Sequence, residues 1–395
     1  MNKTYKDHTR VNVTYFIFIL LIPLTLPDYL LQFNIIENLS VVFTIFIFLI
    51  FIFLTIINKR FNFILLIIFI YFVWRSSVSY FYSEEVLDLT NSLKIITLVL
   101  FINLIIDKYP KSTLSALSSL FSIYIYINLM SIYVFPNGLY IFERGSVGTS
   151  EAWFLGIANQ FAYVLIPGLT FIILNTYYRY KKVKIFTWIT IAAAFLTLIK
   201  VWSATGLVSL FVIITFTVFV TFKIKIKHIN FNFITTLYIL LFIGVLNIQK
   251  ISPVKFLVVD VLKKDLTLSF RTVIWEKVLS TIDKSIMFGH GINTYVLAGE
   301  VTSFAAHNLL LQITLDSGLI GVLIFLVAIF SSGRKLQLNK SQFISFIILS
   351  GIFAILIGGL AESYRTTYLF TLLVLGYNVN KIILSFNEKH NKVNN

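Results

Sequence analysis

Near the C-terminal end of the chain, His307, Asn308, Gln312 and Asp316 fall in the stretch AHNLLLQITLDSGLIG at 306–321. Asn308, Gln312 and Asp316 recur every fourth residue, so on a helix they form one polar stripe, with Leu309, Leu310, Ile313 and Leu315 on the other faces. An imidazole beside such a stripe titrates near neutrality, which suits it to accept a proton from a hydroxyl and release it later. Spacing alone favours an interfacial structural histidine. Gly318 offers a helix terminator or a kink, and the apolar run resumes after it.

Upstream, SFRTVIWEKVLSTIDKSIMFGHGINTY at 269–295 reads as a helix followed by a glycine turn. Ser269 can cap its start, and Phe270, Ile274 and Val278 with Trp275, Leu279 and Ile282 give an apolar face at helical spacing. Arg271 then falls in the first turn, where the helix dipole disfavours a cation, so an anionic partner outside the helix is expected. The alternative is an arginine that anchors the loop at headgroup level. Gly289 and Gly291 flank His290, and this lone G-x-G reads as tight turns ahead of a phosphate loop. His8 and His390 lie in the tails and His228 in a basic loop, which leaves His307 as the histidine beside an organised polar face.

The elements that must hold these groups are set by composition. Of 395 residues, 58% are hydrophobic and 12% charged, and mean hydropathy is +0.90, whereas soluble chains carry roughly a quarter charged residues. The expected fold class is therefore all-α: a single polytopic membrane domain over 1–395. Candidate spans lie near 13–31, 39–57, 61–79, 92–106, 114–135, 154–174, 185–201, 204–222, 230–248, 306–332, 342–360 and 366–384, about twelve in all. A large extracytoplasmic loop, 249–304, with its own helix separates the ninth from the tenth. With no cysteine in the chain, disulfides, thiolate metal sites and cysteine nucleophiles are excluded.

The connecting segments alternate in charge. One side collects Lys3, Lys6, Arg10, Lys59, Arg60, Lys108, Lys111, Arg179, Lys181, Lys182, Lys184, Lys223, Lys225, Lys227, Arg334, Lys335, Lys340, Lys381, Lys389 and Lys392, which are 20 of the 32 basic residues, against Asp7, Asp107 and Glu388. By the positive-inside rule that side is cytoplasmic, and both termini lie on it. The net charge of +15 is thus a topology signal and not a nucleic-acid footprint, so no nucleic-acid partner is expected. The first span carries Pro23 and Pro27 without a small-residue cleavage site and reads as a retained anchor.

At these residues the chain resembles the O-antigen polymerase and O-antigen ligase superfamily, the Wzy-type integral membrane glycosyltransferases. Arg271 followed by Trp275, then FGHGINTY at 288–295, then AHNLLLQITLDSGLIG, stand in the family's order and spacing. A looser likeness covers WFLGIANQFAYVLIPGL at 153–169 and SATGLVSL at 203–210, so the resemblance spans roughly 140–365. Ala204 stands where many members carry arginine, which removes one expected phosphate contact.

What the resemblance implies is a metal-independent, cofactor-free inverting glycosyltransferase acting on the extracytoplasmic face of a bacterial inner membrane. Donor and acceptor would be undecaprenyl-pyrophosphate-linked oligosaccharides, and the product a capsule, O-antigen or exopolysaccharide. Arg271, helped by Arg144, Lys200 or Arg365, would bind the pyrophosphate, and His307 would be the general base. Asn308 and Gln312 would orient the histidine or the sugar, and Asp316 would do so at greater distance. Trp275, Tyr295 and Trp153 would offer faces to sugar rings or else form an interfacial belt. Glu362, beside Arg365, reads as an ion-pair partner and not as a catalytic group. A flippase and a chain-length regulator are the expected protein partners. A ligase shares these motifs, and a flippase for lipid-linked oligosaccharide would also use about a dozen spans, but with charges lining a central cavity. No D-x-D or Walker motif is present.

Overall fold

The computed structural model describes residues 13–83, 87–143, 149–224, 229–246, 271–292, 296–298, 301–303 and 305–394. Regular structure is dominated by helices, because apolar runs that face lipid must satisfy every backbone N–H and C=O within themselves. In chain order these are α1 (Val13–Leu24), α2 (Asp28–Leu31), α3 (Asn34–Ile57), α4 (Phe63–Ser83), α5 (Leu87–Lys108), α6 (Pro110–Val134), α7 (Phe161–Tyr180), α8 (Ile185–Lys200), α9 (Ala204–Thr221) and α10 (Phe231–Leu246). They continue with α11 (Arg271–Ile282), α12 (Leu309–Leu338), α13 (Phe343–Gly358), α14 (Thr367–Tyr377) and α15 (Val379–Asn394).

Each of the twelve expected runs contains a helix, yet the count of crossings is not reproduced as such. Among the described residues seven helices are long and apolar enough to cross a membrane, and α14 with α15 make an eighth only if the pair, bent by 60°, is one span. The other four, Val13–Leu24, Ile185–Lys200, Phe231–Leu246 and Phe343–Gly358, are shorter apolar helices. At 16 residues each, Ile185–Lys200 and Phe343–Gly358 extend about 24 Å, short of a hydrocarbon core of about 30 Å. The run at 154–174 also differs from expectation, since its first residues belong to a three-stranded antiparallel sheet, β1 (Tyr140–Glu143), β2 (Thr149–Trp153) and β3 (Gly156–Ile157), and α7 begins only at Phe161.

The run near 92–106 is part of a longer helix, α5, whose residues before the run include Asp88, Thr90 and Asn91 and so fall outside an apolar stretch. α7 is the most enclosed of the long spans, with 89% of its apolar window buried. α14 is buried at every position from Tyr368 to Gly376 and packs against α5, α7, α12 and α13. Phe72, Phe101, Phe121, Phe171, Phe325 and Phe370 fill the space between these helices. Hydroxyls inside the spans mostly bond back to the carbonyl one turn earlier, as Thr55, Thr97, Ser122 and Thr170 do, which keeps them satisfied without water.

The basic loops are gathered at one end of the bundle. Asp107 pairs with Arg60 at 2.8 Å and with Lys381 at 2.9 Å, and Lys389 donates to the carbonyls of Tyr178 and Arg179. At the opposite end Arg365 pairs with Asp28 at 2.7 Å, and Trp153 donates its indole N–H to the carbonyl of Phe135.

Candidate active site

The described part of 249–304 consists of α11, a glycine turn to Ile292, and a hairpin of β4 (Val296–Ala298) and β5 (Val301–Ser303). One face of α11, carrying Ile274, Trp275, Val278 and Ile282, packs on Ala306, Leu311 and Leu315. This is the apolar face expected from spacing, and it seats the helix against the segment that carries His307. Ser269 and Phe270 lie outside the described residues.

α12 is broken where its glycine stands: Gly318 has φ 64° and ψ −171°, so the polar first part and the apolar second part are two helices across a kink. The backbone groups freed by the break are taken up by the glycine turn. His290 N–H donates to Leu315 O at 2.8 Å, Gly291 N–H to Asp316 O at 3.0 Å, and Leu319 N–H to Ile286 O at 2.9 Å. A Cβ on Gly318 would collide with the backbone of Met287 and Phe288, and one on Gly289 with the backbone of Ser317 and Gly318. G-x-G is therefore a backbone interlock. His290 caps the end of α11 through its ring nitrogen and the carbonyl of Thr281, 2.8 Å away. α4 closes the interlock: Trp74 donates to Ser317 O at 2.9 Å, and Ser79 Oγ accepts from Ile292 N–H at 3.1 Å.

His307 sits immediately before α12 with φ 46°, a left-handed conformation that costs a residue with a Cβ on the order of 1 kcal/mol. Its neighbours hold it there. Ala306 O accepts from Trp275 Nε1 at 2.9 Å, and Ala306 N–H donates to Gln312 Oε1 at 2.7 Å. Asn308 is fully buried and uses both ends of its amide: Oδ1 accepts from Leu311 N–H at 3.1 Å as the helix cap, and Nδ2 donates to Leu360 O at 2.9 Å. Its backbone N–H reaches Ser363 Oγ at 3.2 Å, and Leu309 N–H reaches Gly359 O at 2.7 Å. Gln312 Nε2 donates to Asp316 Oδ1 at 2.7 Å, with Arg75 of α4 3.7 Å beyond. Asn308 and Gln312 thus fix the backbone on either side of the histidine, and Asp316 holds Gln312.

Three ionisable side chains meet at this point. Glu362, 5% exposed between α13 and α14, bonds Arg271 through one carboxylate oxygen, and its other oxygen lies 3.2 Å from His307 Nδ1. Arg271 opens the described part of α11, and Glu362 is an anionic partner for it from outside the helix. A shared carboxylate fixes the imidazole through Nδ1 and leaves Nε2 as the basic atom for another molecule. Tyr364, next to this cluster and beside Thr205 and Ser209, has its phenol pushed up, first by burial and then by the Glu362 carboxylate. It stays neutral and cannot replace the imidazole as a base.

The other sequence-derived candidates fall elsewhere. Arg365 pairs with Asp28, not with Glu362, and its guanidinium lies over the ring of Tyr163 at 5.8 Å. Lys200 ends α8, stands 5.9 Å from the ring of Tyr133, and lines a cavity of about 440 Å³ with Ser150, Glu151, Trp153 and Asn159. Trp275 and Trp153 are 3% and 5% exposed, so their rings are covered by protein and present no open face to a sugar. Arg144 and Tyr295 lie outside the described residues. Sequence reasoning read Glu362 as an ion-pair partner beside Arg365, whereas its partners are Arg271 and His307. The available signal was the cost of a carboxylate at the end of an apolar run, which demands a partner.

Residues 160–326 match the family model described as O-antigen ligase. That stretch runs from α7 into α12 and includes Arg271 and His307, while Glu362 lies beyond it. No curated protein matches the chain.

Proposed function

We propose that this chain, whose residues 160–326 match the family model described as O-antigen ligase, joins lipid-linked oligosaccharide repeat units into a surface polysaccharide. The observation that carries this reading is the Arg271, Glu362 and His307 cluster, at the end of the bundle remote from the basic loops. A set of membrane-spanning helices in an O-antigen family fits a bacterial inner membrane protein. We take the twelve helical runs as crossings with both termini cytoplasmic, which puts the cluster on the extracytoplasmic face.

In this mechanism the donor is a glycan on undecaprenyl pyrophosphate and the acceptor is a sugar hydroxyl of a second lipid-linked unit. His307 Nε2 takes the hydroxyl proton as the oxygen attacks the anomeric carbon. The bond from that carbon to the pyrophosphate breaks with inversion, and undecaprenyl pyrophosphate leaves. Arg271 meets the charge growing on the departing phosphate with its planar fork. Glu362 holds the imidazole in the productive tautomer and stabilises its charged form, which makes it a positioning residue. Because the leaving group is already a stable anion and Arg271 receives it, the chemistry calls for no metal. Arg144 remains as a further contact to the pyrophosphate or glycan, Lys200 and Arg365 stand apart from the cluster, and a flippase and a chain-length regulator remain as partners.

The purified protein given a defined pyrophosphate-linked repeat unit should produce a ladder of lengthening chains. His307→Ala should lower this by about 10²- to 10⁴-fold, the range of general-base contributions, with unchanged protein in the membrane. Undiminished polymer from that variant defeats the assignment of the base. A ligase is the second reading, favoured by the description of the matching family model; a single glycan added to a non-repeat acceptor would establish it. Transport of lipid-linked substrate into proteoliposomes without a new bond would overturn both.

A further inference from the structure

The end of the bundle that gathers the basic loops holds a groove of about 900 Å³ between α6, α7 and α8. Arg179, at its mouth, stands 18 residues along α7 from Phe161, about 27 Å from the end that holds Arg365. The groove is therefore separate from the His307 cluster. Ser118, Ser122 and Thr176 are buried at its floor, while Ile123, Ile127 and Phe186 wall it and are themselves exposed on the outside of the bundle.

Its mouth is cationic, with Arg179 and with Lys184 4.8 Å from the centre of the Tyr180 ring. Arg179 donates to Ser115 Oγ from one terminal nitrogen, and its Nε is buried without a protein partner. Lys184 precedes α8, whose first N–H groups receive no side-chain cap. Among the described residues no carboxylate pairs with Arg179 or Lys184. An uncapped helix start beside two cations favours a phosphate, and apolar walls at membrane depth favour a hydrocarbon chain attached to it. A dissolved anion would leave those walls unused, and a zwitterionic headgroup brings a cation of its own.

We propose that this groove binds an anionic phospholipid of the leaflet facing the basic loops, its phosphate on Arg179 and Lys184 and an acyl chain along Ile123, Ile127 and Phe186. The test uses the full chain in detergent, titrated with phosphatidylglycerol, phosphatidylcholine, undecaprenyl phosphate or inorganic phosphate. Lipid retention is read by native mass spectrometry and the unfolding midpoint by thermal scan. Phosphatidylglycerol should be retained and raise the midpoint, and the other three should not match it. Arg179→Gln with Lys184→Gln should weaken this roughly thirty-fold, about fivefold per cation. Because Arg179 also bonds Ser115, Lys184→Gln alone and Ile127→Trp, which fills the groove, serve as variants that keep that contact. An undiminished phosphatidylglycerol response in both overturns the site. An equal response to phosphatidylcholine or inorganic phosphate overturns its chemistry, and preference for undecaprenyl phosphate overturns its source. Neither readout depends on glycan synthesis, so this result stands apart from the proposed enzymatic reading.

Discussion

Glu362→Gln removes one negative charge while keeping the shape and hydrogen-bonding capacity of the side chain, which isolates what the carboxylate does for His307. The imidazole nitrogen and the carboxylate oxygen are 3.2 Å apart, and the side chains are 27% and 7% exposed. A contact pair of unit charges near a protein surface is worth about 4 kcal/mol as an upper figure. Partial exposure of the ring and the share of the carboxylate held by Arg271 cut this to about half. About 2 kcal/mol of lost stabilisation of the imidazolium formed during proton abstraction is roughly a thirty-fold fall in kcat. The same change frees Arg271 from its protein partner, so KM for the pyrophosphate donor should hold or fall. The assay is the rate of chain lengthening on a defined lipid-linked repeat unit, with donor concentration varied. A kcat within about twofold of the parent, or an unchanged kcat with a large rise in KM, would refute the idea that this carboxylate serves the histidine.

Further outcomes follow from the supports around the site. Gly318→Ala should destabilise the protein by more than about 3 kcal/mol, since the new methyl meets the Met287 backbone at a left-handed φ; loss of folded protein in detergent reports it. Trp275→Phe keeps most of the packing but removes the donor to Ala306 O, and should cost about 1 kcal/mol of stability with a several-fold fall in kcat. Asn308→Ala removes a helix cap and strands Leu360 O, so a loss of about 2–4 kcal/mol is expected in thermal unfolding, with activity falling alongside.

Much of this molecule was legible because lipid leaves few choices. Apolar runs had to be helices, and the alternation of lysine and arginine between them anticipated the single basic end where Asp107 bridges Arg60 and Lys381. The stripe of Asn308, Gln312 and Asp316 and the break at Gly318 were readable from spacing, since both express local helical geometry. What Glu362 touches was not readable. It lies 55 residues from His307 and 91 from Arg271, and nothing local says which cation a buried carboxylate meets. Trp275 was left between a sugar platform and an interfacial aromatic for the same reason: its periodicity marks an apolar face without saying what covers it. The small sheet before α7 escaped because WFLGIANQ is as apolar as the helix that follows.

α14 carries a consequence for assembly. At 11 residues, about 17 Å, it is too short to enter a bilayer on its own hydrophobicity, yet every side chain from Tyr368 to Gly376 is covered by helices made earlier. The ribosome thus delivers this enclosed piece after the helices that surround it. The preceding helices must stay ajar until it arrives, and a chain stopped before Thr367 would be inserted but hollow.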